Sequence, residues 1–141
     1  MPLLETITDS DYQALAEVRY QIRRFLHFSE QAARAAGLEP HQHQLLLAVR
    51  GHDKRSIGIL AERLQIQHHS AVELVDRLEE RGFVARSRAP SDRRQVMVQL
   101  TPRGEEELKK LTTCHLAELR DTGPALVSAL EAVIGRANGS N

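Results

Sequence analysis

The sequence predicts a mainly α-helical domain of the α+β class, with long helices at both ends and a small β-hairpin in between. Three observations predict it. Apolar residues recur at steps of three and four along most of the 141-residue chain. That period gives way only after Gly82, where Gln95-Val96-Met97-Val98-Gln99-Leu100 alternates polar and apolar as a half-buried strand does. Aromatics make up only 4% and Trp is absent, so Leu, Val, Ile and Ala must fill the core, which suits helix packing.

The first helix is expected to begin near Ser10, because Ser10 and Gln13 have capping-box spacing. Leu15, Val18, Ile22, Phe25, Ser29, Ala32 and Ala36 then mark one face, and Gly37 is a stop. At 1.5 Å per residue such a helix is about 39 Å long. That exceeds what one small domain needs, so part of its face should meet something else.

Pro40 fits the first position of a second helix with Leu45, Leu46, Leu47 and Val49 toward the core, ending at Gly51. Ser56 caps a short third helix carrying Ile57, Leu60, Ala61 and Leu64. After Gln65-Ile66-Gln67, a fourth helix runs to Arg81 with Ala71, Val72, Leu74, Val75 and Leu78 as its apolar positions. Phe83 to Arg86 reads as a short strand, Ala89-Pro90-Ser91-Asp92 as a turn, and Gln95 to Leu100 as the returning strand. Thr101-Pro102 opens a fifth helix, with Glu105, Glu106 and Glu107 near the positive end of its dipole. Leu108, Leu111, His115 and Leu119 follow on one face. Asp121 to Pro124 is expected to break the chain before a last helix with Leu126, Leu130, Val133 and Ile134.

Bulk composition excludes several classes. Hydrophobic content of 41% and charged content of 27% describe a globular chain and not a disordered one. A single cysteine, Cys114, excludes an internal disulfide and a multi-cysteine zinc site. Met-Pro-Leu-Leu-Glu lacks the basic and apolar segments of a signal peptide, and no apolar run reaches the ~18 residues that span a membrane. A cytoplasmic location without membrane association is the expectation. There is no Gly-rich phosphate loop or nucleophile motif, so enzymatic activity is not expected. The seven histidines, His27, His41, His43, His52, His68, His69 and His115, show no zinc-ligand spacing, so no cofactor or metal is expected. Cys114, alone on a helix, reads as a small buried residue.

Net charge is zero, but its distribution is uneven. Between Arg81 and Arg94 stand Arg81, Arg86, Arg88, Arg93 and Arg94 against one acid, Asp92. A short helix, a turn and a second helix precede this basic hairpin. Helix-turn-helix geometry sets the first residues of the second helix against base edges in the major groove. With Ala71, Val75 and Leu78 inward, the opposite face presents Gln67, His69, Ser70, Glu73 and Arg77, side chains able to bond to bases or phosphates. A basic hairpin tip beside that helix can reach phosphates or the narrow minor groove. Asp92 can hold a neighbouring Arg by an ion pair. The predicted DNA-facing set is Ser56, Gln67, His68, His69, Ser70, Glu73, Arg77, Arg86, Arg88, Asp92, Arg93 and Arg94.

Ser56-Ile-Gly-Ile-Leu-Ala-Glu-Arg-Leu64, Val75-Asp-Arg-Leu-Glu-Glu-Arg-Gly-Phe-Val84, Ser91-Asp-Arg-Arg94 and Val98-Gln-Leu-Thr-Pro-Arg-Gly-Glu-Glu106 resemble the MarR (multiple antibiotic resistance regulator) family over nearly the whole chain. The Asp-Arg-Arg wing followed by Leu-Thr-Pro-Arg-Gly is the most specific part. The resemblance implies one domain over residues 1–141, with residues 40–100 forming a winged helix-turn-helix and residues 1–36 and 102–141 supplying dimerisation helices. It implies a homodimeric, DNA-binding transcriptional regulator, a repressor reading a pseudo-palindromic operator in double-stranded DNA and modulated by a small-molecule effector. Aromatic or phenolic acids are common effectors among such relatives. Arg94 matches the wing arginine that enters the minor groove, with Asp92 as its supporting acid. The crevice between dimer helices and winged domain is the expected pocket, with Tyr20, Arg24, His27 and His41 as candidate lining. Two departures stand out: Glu73 replaces a common basic residue, and Gln67-His68 replaces the usual Ser-Pro-type opening of the recognition helix. The alternatives are a non-sensing architectural DNA-binding protein or a redox- or metal-responsive regulator on the same fold.

Overall fold

A computed structural model of the chain describes residues 6–53, 55–89, 91–92 and 94–139, the last four by their backbone alone. The elements run α1 (Asp9–Ala35), α2 (Pro40–Arg50), α3 (Ile57–Leu64), α4 (His68–Glu80), β1 (Val84–Arg88), β2 (Val96–Leu100) and α5 (Pro102–Gly139). The chain divides into two compact units. One holds the described residues up to Gln31 together with those from Cys114 onward; the other is Ala32–Thr113. Both long helices cross the boundary.

The α1 start differs slightly from expectation. Thr8, not Ser10, is the cap: the Thr8 N–H donates to Asp11 Oδ2 at 2.8 Å, and the Asp11 N–H reaches Thr8 Oγ1 at 3.4 Å. An Asp at the third helical position accepts that bond as readily as Gln and also suits the dipole. In α2, Pro40 opens the helix and Gln42 Oε1 accepts from the Glu39 N–H at 3.0 Å. Ser56 Oγ caps α3 by accepting from the Ile59 N–H at 3.3 Å. Between α3 and α4, Gln65 takes the left-handed conformation, φ 58°. Ile66 N–H then closes on Ala61 O at 3.0 Å, the motif that ends a helix tightly.

The strands pair antiparallel with Val84 opposite Leu100, Arg86 opposite Val98 and Arg88 opposite Val96. The segment before α3 joins their edge: Ser56 bridges Met97, and the Val98 N–H donates to Arg55 O at 3.0 Å. The strand after Gly82 thus extends to Arg88, two residues beyond the expected end, because its partner continues to Val96.

One core lies within the Ala32–Thr113 unit. Leu38, Leu45, Leu46, Val49, Leu60, Val75, Leu78 and Val98 are its most completely buried members, and Leu108 and Leu111 bring α5 onto it. Each buried Leu or Val contributes roughly 1.5–3 kcal/mol relative to exposure. This core carries α3, α4 and the hairpin on one support and yields the winged helix-turn-helix.

The predicted break at Asp121 to Pro124 does not occur: α5 runs through Pro124 as one helix of 38 residues. An internal proline loses one backbone bond and costs about 3 kcal/mol. The apolar stripe continues across it at helical spacing, through Leu116, Leu119, Leu126 and Leu130. Thr122 Oγ1 also donates to Glu118 O at 2.9 Å, so a nearby carbonyl has a partner.

In the unit formed by the outer parts of α1 and α5, His115 is buried and its Nε2 lies 2.8 Å from Ser29 Oγ in a hydrogen bond. Phe28 and Phe25 meet the imidazole edge-on, with centroids at 5.4 and 6.1 Å. The same unit leaves large apolar side chains half in solvent: Tyr12, Leu15, Ile22 and Leu26 on α1, and Leu116, Leu119, Val127, Leu130 and Ile134 on α5.

Candidate functional site

The site is built on α4 and the hairpin. Ala71, Val75 and Leu78 are fully buried and lock the α4 rotation. That rotation turns Gln67, His68, His69, Glu73 and Arg77 outward, with Ser70 half-buried among them. The sequence places Gln67, His69, Ser70, Glu73 and Arg77 opposite Ala71, Val75 and Leu78, and in the structure these five are exposed or, for Ser70, half-buried. Gln67 occupies the N-cap position but makes no side-chain capping bond, so its amide is not spent on the helix end. Ser56, by contrast, uses its hydroxyl to cap α3.

At the hairpin, Asp92 Oδ1 accepts from the Arg94 backbone N–H at 3.0 Å and lies 3.4 Å from Arg94 Nε. The Arg94 side chain is 93% exposed, so its aim is set by Asp92 alone among the described residues, and its cost in desolvation is small. Arg88 is also exposed, at the end of β1. Arg93 lies outside the described residues.

Arg86 has a different setting. Its guanidinium bonds to Asp76 Oδ1 through Nη2 and to Glu79 Oε1 through Nη1 at 2.6 Å. Nη2 also lies 3.5 Å from Val72 O, and the Arg86 backbone N–H donates to Glu79 Oε2 at 3.3 Å. Burial pulls the Arg86 pKa down, but the hydrogen bonds to Asp76 and Glu79 and the attraction of both carboxylates outweigh it, leaving it above the ordinary guanidinium value. The sequence reading did not single out Asp76 or Glu79. Their three-residue spacing along one side of α4, flanking the buried Val75, is the signal that could have found them.

The other end of α4 is tied down by Arg81. Its Nη1 donates to Gly37 O at 2.8 Å, and its guanidinium lies 4.9 Å from the Phe83 ring centroid. Arg103 approaches the same ring at 5.1 Å. Such contacts are worth about 0.5–2 kcal/mol each.

Of the four candidate effector residues, three belong to one unit and one to the other. Tyr20, Arg24 and His27 are exposed on α1, with the Arg24 guanidinium 5.9 Å from the Tyr20 ring centroid. His41 belongs to the other unit, where it lines a recess of about 240 Å³ with Ile66, Ser70, Glu73, Leu74 and Arg77. A wider groove of about 590 Å³ runs between Arg50 and the first turns of α5 and holds none of the predicted residues. Arg50 spans its edge, pairing with Glu105 at 3.1 Å. Among the described residues no cluster of three or more His, Cys, Asp or Glu side chains is arranged to hold a metal. Cys114 is not buried as expected but exposed, with Sγ 3.7 Å from His115 Nδ1.

Comparison with known proteins gives this geometry a context. A family model described as the MarR family matches residues 36–95, the span of α2 through the hairpin. A putative transcriptional regulatory protein for the hcr operon of Thauera aromatica is 27% identical over 111 residues, covering 79% of this chain and 67% of that protein. Among solved structures, the transcriptional repressor CouR bound to a 23-mer DNA duplex is 30% identical and covers 82% of this chain and 87% of its own, with a TM-score of 0.64. AbsC of Streptomyces coelicolor, a MarR family transcriptional regulator, superposes with a TM-score of 0.72 over 96% of this chain and 99% of its own. At 22% identity it supports the fold alone.

Proposed function

The chain belongs to the MarR family of transcriptional regulators, and from that premise we propose that it binds double-stranded operator DNA as a homodimer and represses transcription until a small molecule releases it. One observation carries the DNA-binding part: the polar face of α4 and the Arg94–Asp92 tip project from a single rigid core. In this reading α4 enters the major groove. Gln67, His68, His69, Ser70, Glu73 and Arg77 face bases or nearby phosphates. Arg94, Arg88 and Arg93 reach the backbone or the minor groove. The DNA complex of the CouR repressor, which shares this fold at 30% identity, supports both the partner and the direction of control.

The dimer is supported by the half-exposed apolar side chains of α1 and α5. Tyr12, Leu15, Ile22 and Leu26 repeat at close to heptad spacing, and so do Leu116, Leu119, Val127, Leu130 and Ile134. A stripe of this extent is costly in water and suits a second copy of the same chain. Two recognition helices related by a twofold axis demand half-sites about one helical turn apart, roughly 34 Å. No described helix is long and apolar enough to cross a membrane, which is compatible with a protein acting at cytoplasmic DNA. The effector reading rests on family membership and on no single pocket.

The test is selection of bound fragments from a pool of random duplexes, followed by titration of a recovered duplex and a scrambled one at several salt concentrations. The proposal expects a pseudo-palindromic consensus and at least about a thousandfold preference over scrambled DNA. Equal affinity for both duplexes would replace it with an architectural role.

A further inference from the structure

We propose that Arg86 is a positioning residue that fixes the hairpin against the recognition helix and does not itself touch the duplex. The proposal rests on the DNA-binding reading and concerns how that surface is held together. Val72, Asp76 and Glu79 lie on successive turns of α4, and all three offer oxygen atoms to one guanidinium from β1. Glu79 also receives the Arg86 backbone N–H, so side chain and strand are gripped together. Arg is the side chain for this task, since its planar fork can meet two carboxylates and a carbonyl at once.

The exposure of the partners is informative. The Arg86 side chain is 25% exposed, whereas those of Asp76 and Glu79 are 53% and 42% exposed. The cation sits inside and the acids sit outside. A residue meant for phosphate would show the reverse order, as Arg94 does. Two exposed carboxylates on a DNA-reading helix repel a duplex by charge alone. Their presence makes sense if the geometry they enforce, through Arg86, gains more than the repulsion loses. Their removal therefore separates the two effects by sign.

The experiment uses the full chain, a duplex recovered by selection, and the variants Arg86→Ala, Arg86→Lys and Asp76→Ala/Glu79→Ala. Duplex affinity is measured across salt concentrations, and amide hydrogen exchange is followed over residues 84–88. We expect Arg86→Ala to weaken binding about tenfold with an unchanged salt slope. Arg86→Lys should recover part of that loss, as its single ammonium can serve only one carboxylate well. Asp76→Ala/Glu79→Ala, which also covers the case that Arg86→Ala fails to fold, should weaken binding by a similar factor although it removes negative charge. Exchange in β1 should quicken in both alanine variants. A salt slope shallower by about 0.9 in Arg86→Ala would make Arg86 a phosphate contact and overturn the proposal. Equal or tighter binding by Asp76→Ala/Glu79→Ala would overturn it too. If the unaltered chain enriches no duplex, the DNA-binding reading fails on its own, and unaccelerated exchange over 84–88 then overturns the brace independently.

Discussion

Gly104 lies so close to Phe83 that a Cβ built on it would stand 2.0 Å from the Phe83 carbonyl oxygen. The first turn of α5 is pressed onto the turn between α4 and β1. Thr101 stitches the two together, donating through Oγ1 to Gly82 O at 2.6 Å while accepting from the Gly104 N–H at 3.1 Å. Gly82 itself has φ +79°, which a side chain rarely adopts. Gly104→Ala should therefore destabilise the protein by about 3 kcal/mol, at the severe end of overpacking. Gly58→Ala, where a Cβ meets nothing within 4 Å, should instead add roughly 0.5 kcal/mol. Denaturant unfolding of both variants checks the contrast.

The wing arginine gives a prediction on binding without one on folding. Arg94→Ala should weaken duplex binding by about 1–3 kcal/mol and make the salt slope shallower by about 1. Its side chain is almost fully exposed, so stability should stay within about 0.5 kcal/mol. Asp92→Ala should lose a smaller part of the affinity, since the Arg94 charge remains but its aim is lost. Fluorescence anisotropy with parallel thermal unfolding measures both quantities.

Glu73 stands exposed on the face of α4 opposite Val75. Glu73→Gln should tighten binding to scrambled duplex about threefold by removing repulsion, while narrowing the margin over the selected duplex. Competition between the two duplexes reads this directly.

In the other unit the half-buried Ser29 is hydrogen-bonded to the buried His115. Ser29→Ala takes away the partner at His115 Nε2 and should cost about 1–2 kcal/mol. Combining it with His115→Leu should recover part of that loss, because two apolar groups leave nothing unpaired at that contact. A double-mutant cycle in urea gives the coupling, expected near 1 kcal/mol.

Charge placed on the exposed stripe tests assembly. Ile22→Glu with Leu130→Glu should shift the protein from dimer to monomer in sedimentation at micromolar concentration and abolish high-affinity duplex binding. Both side chains are already at least 40% exposed within one chain, so the fold of the Ala32–Thr113 unit should persist.

Much of this architecture is legible in the residues because local chemistry and packing agree. Pro40, Ser56 and Gly82 punctuate the chain where the apolar rows begin and end, so α2, α3 and α4 can be read almost to the residue. The α4 face follows from Ala71, Val75 and Leu78, whose burial fixes what points outward. Pro124 misleads because one lost backbone bond is a local signal, whereas the apolar row continuing on both sides of it acts over many turns. The pairing of Arg86 with Asp76 and Glu79 is not legible for a related reason. A run of arginines shows where positive charge collects along the chain, but which of them already has a carboxylate opposite depends on strand register, and that is decided by pairing with Val98.

The neutralisation of Asp76 and Glu79 by a strand that follows them has a practical corollary. The stretch from Ile57 to Arg81 holds more acids than bases when taken alone, and only the later hairpin offsets this. A chimaera that borrows the two short helices without residues 84–100 would inherit their sequence preference but meet a duplex with a hostile potential. Transplanting the specificity requires moving the hairpin with it.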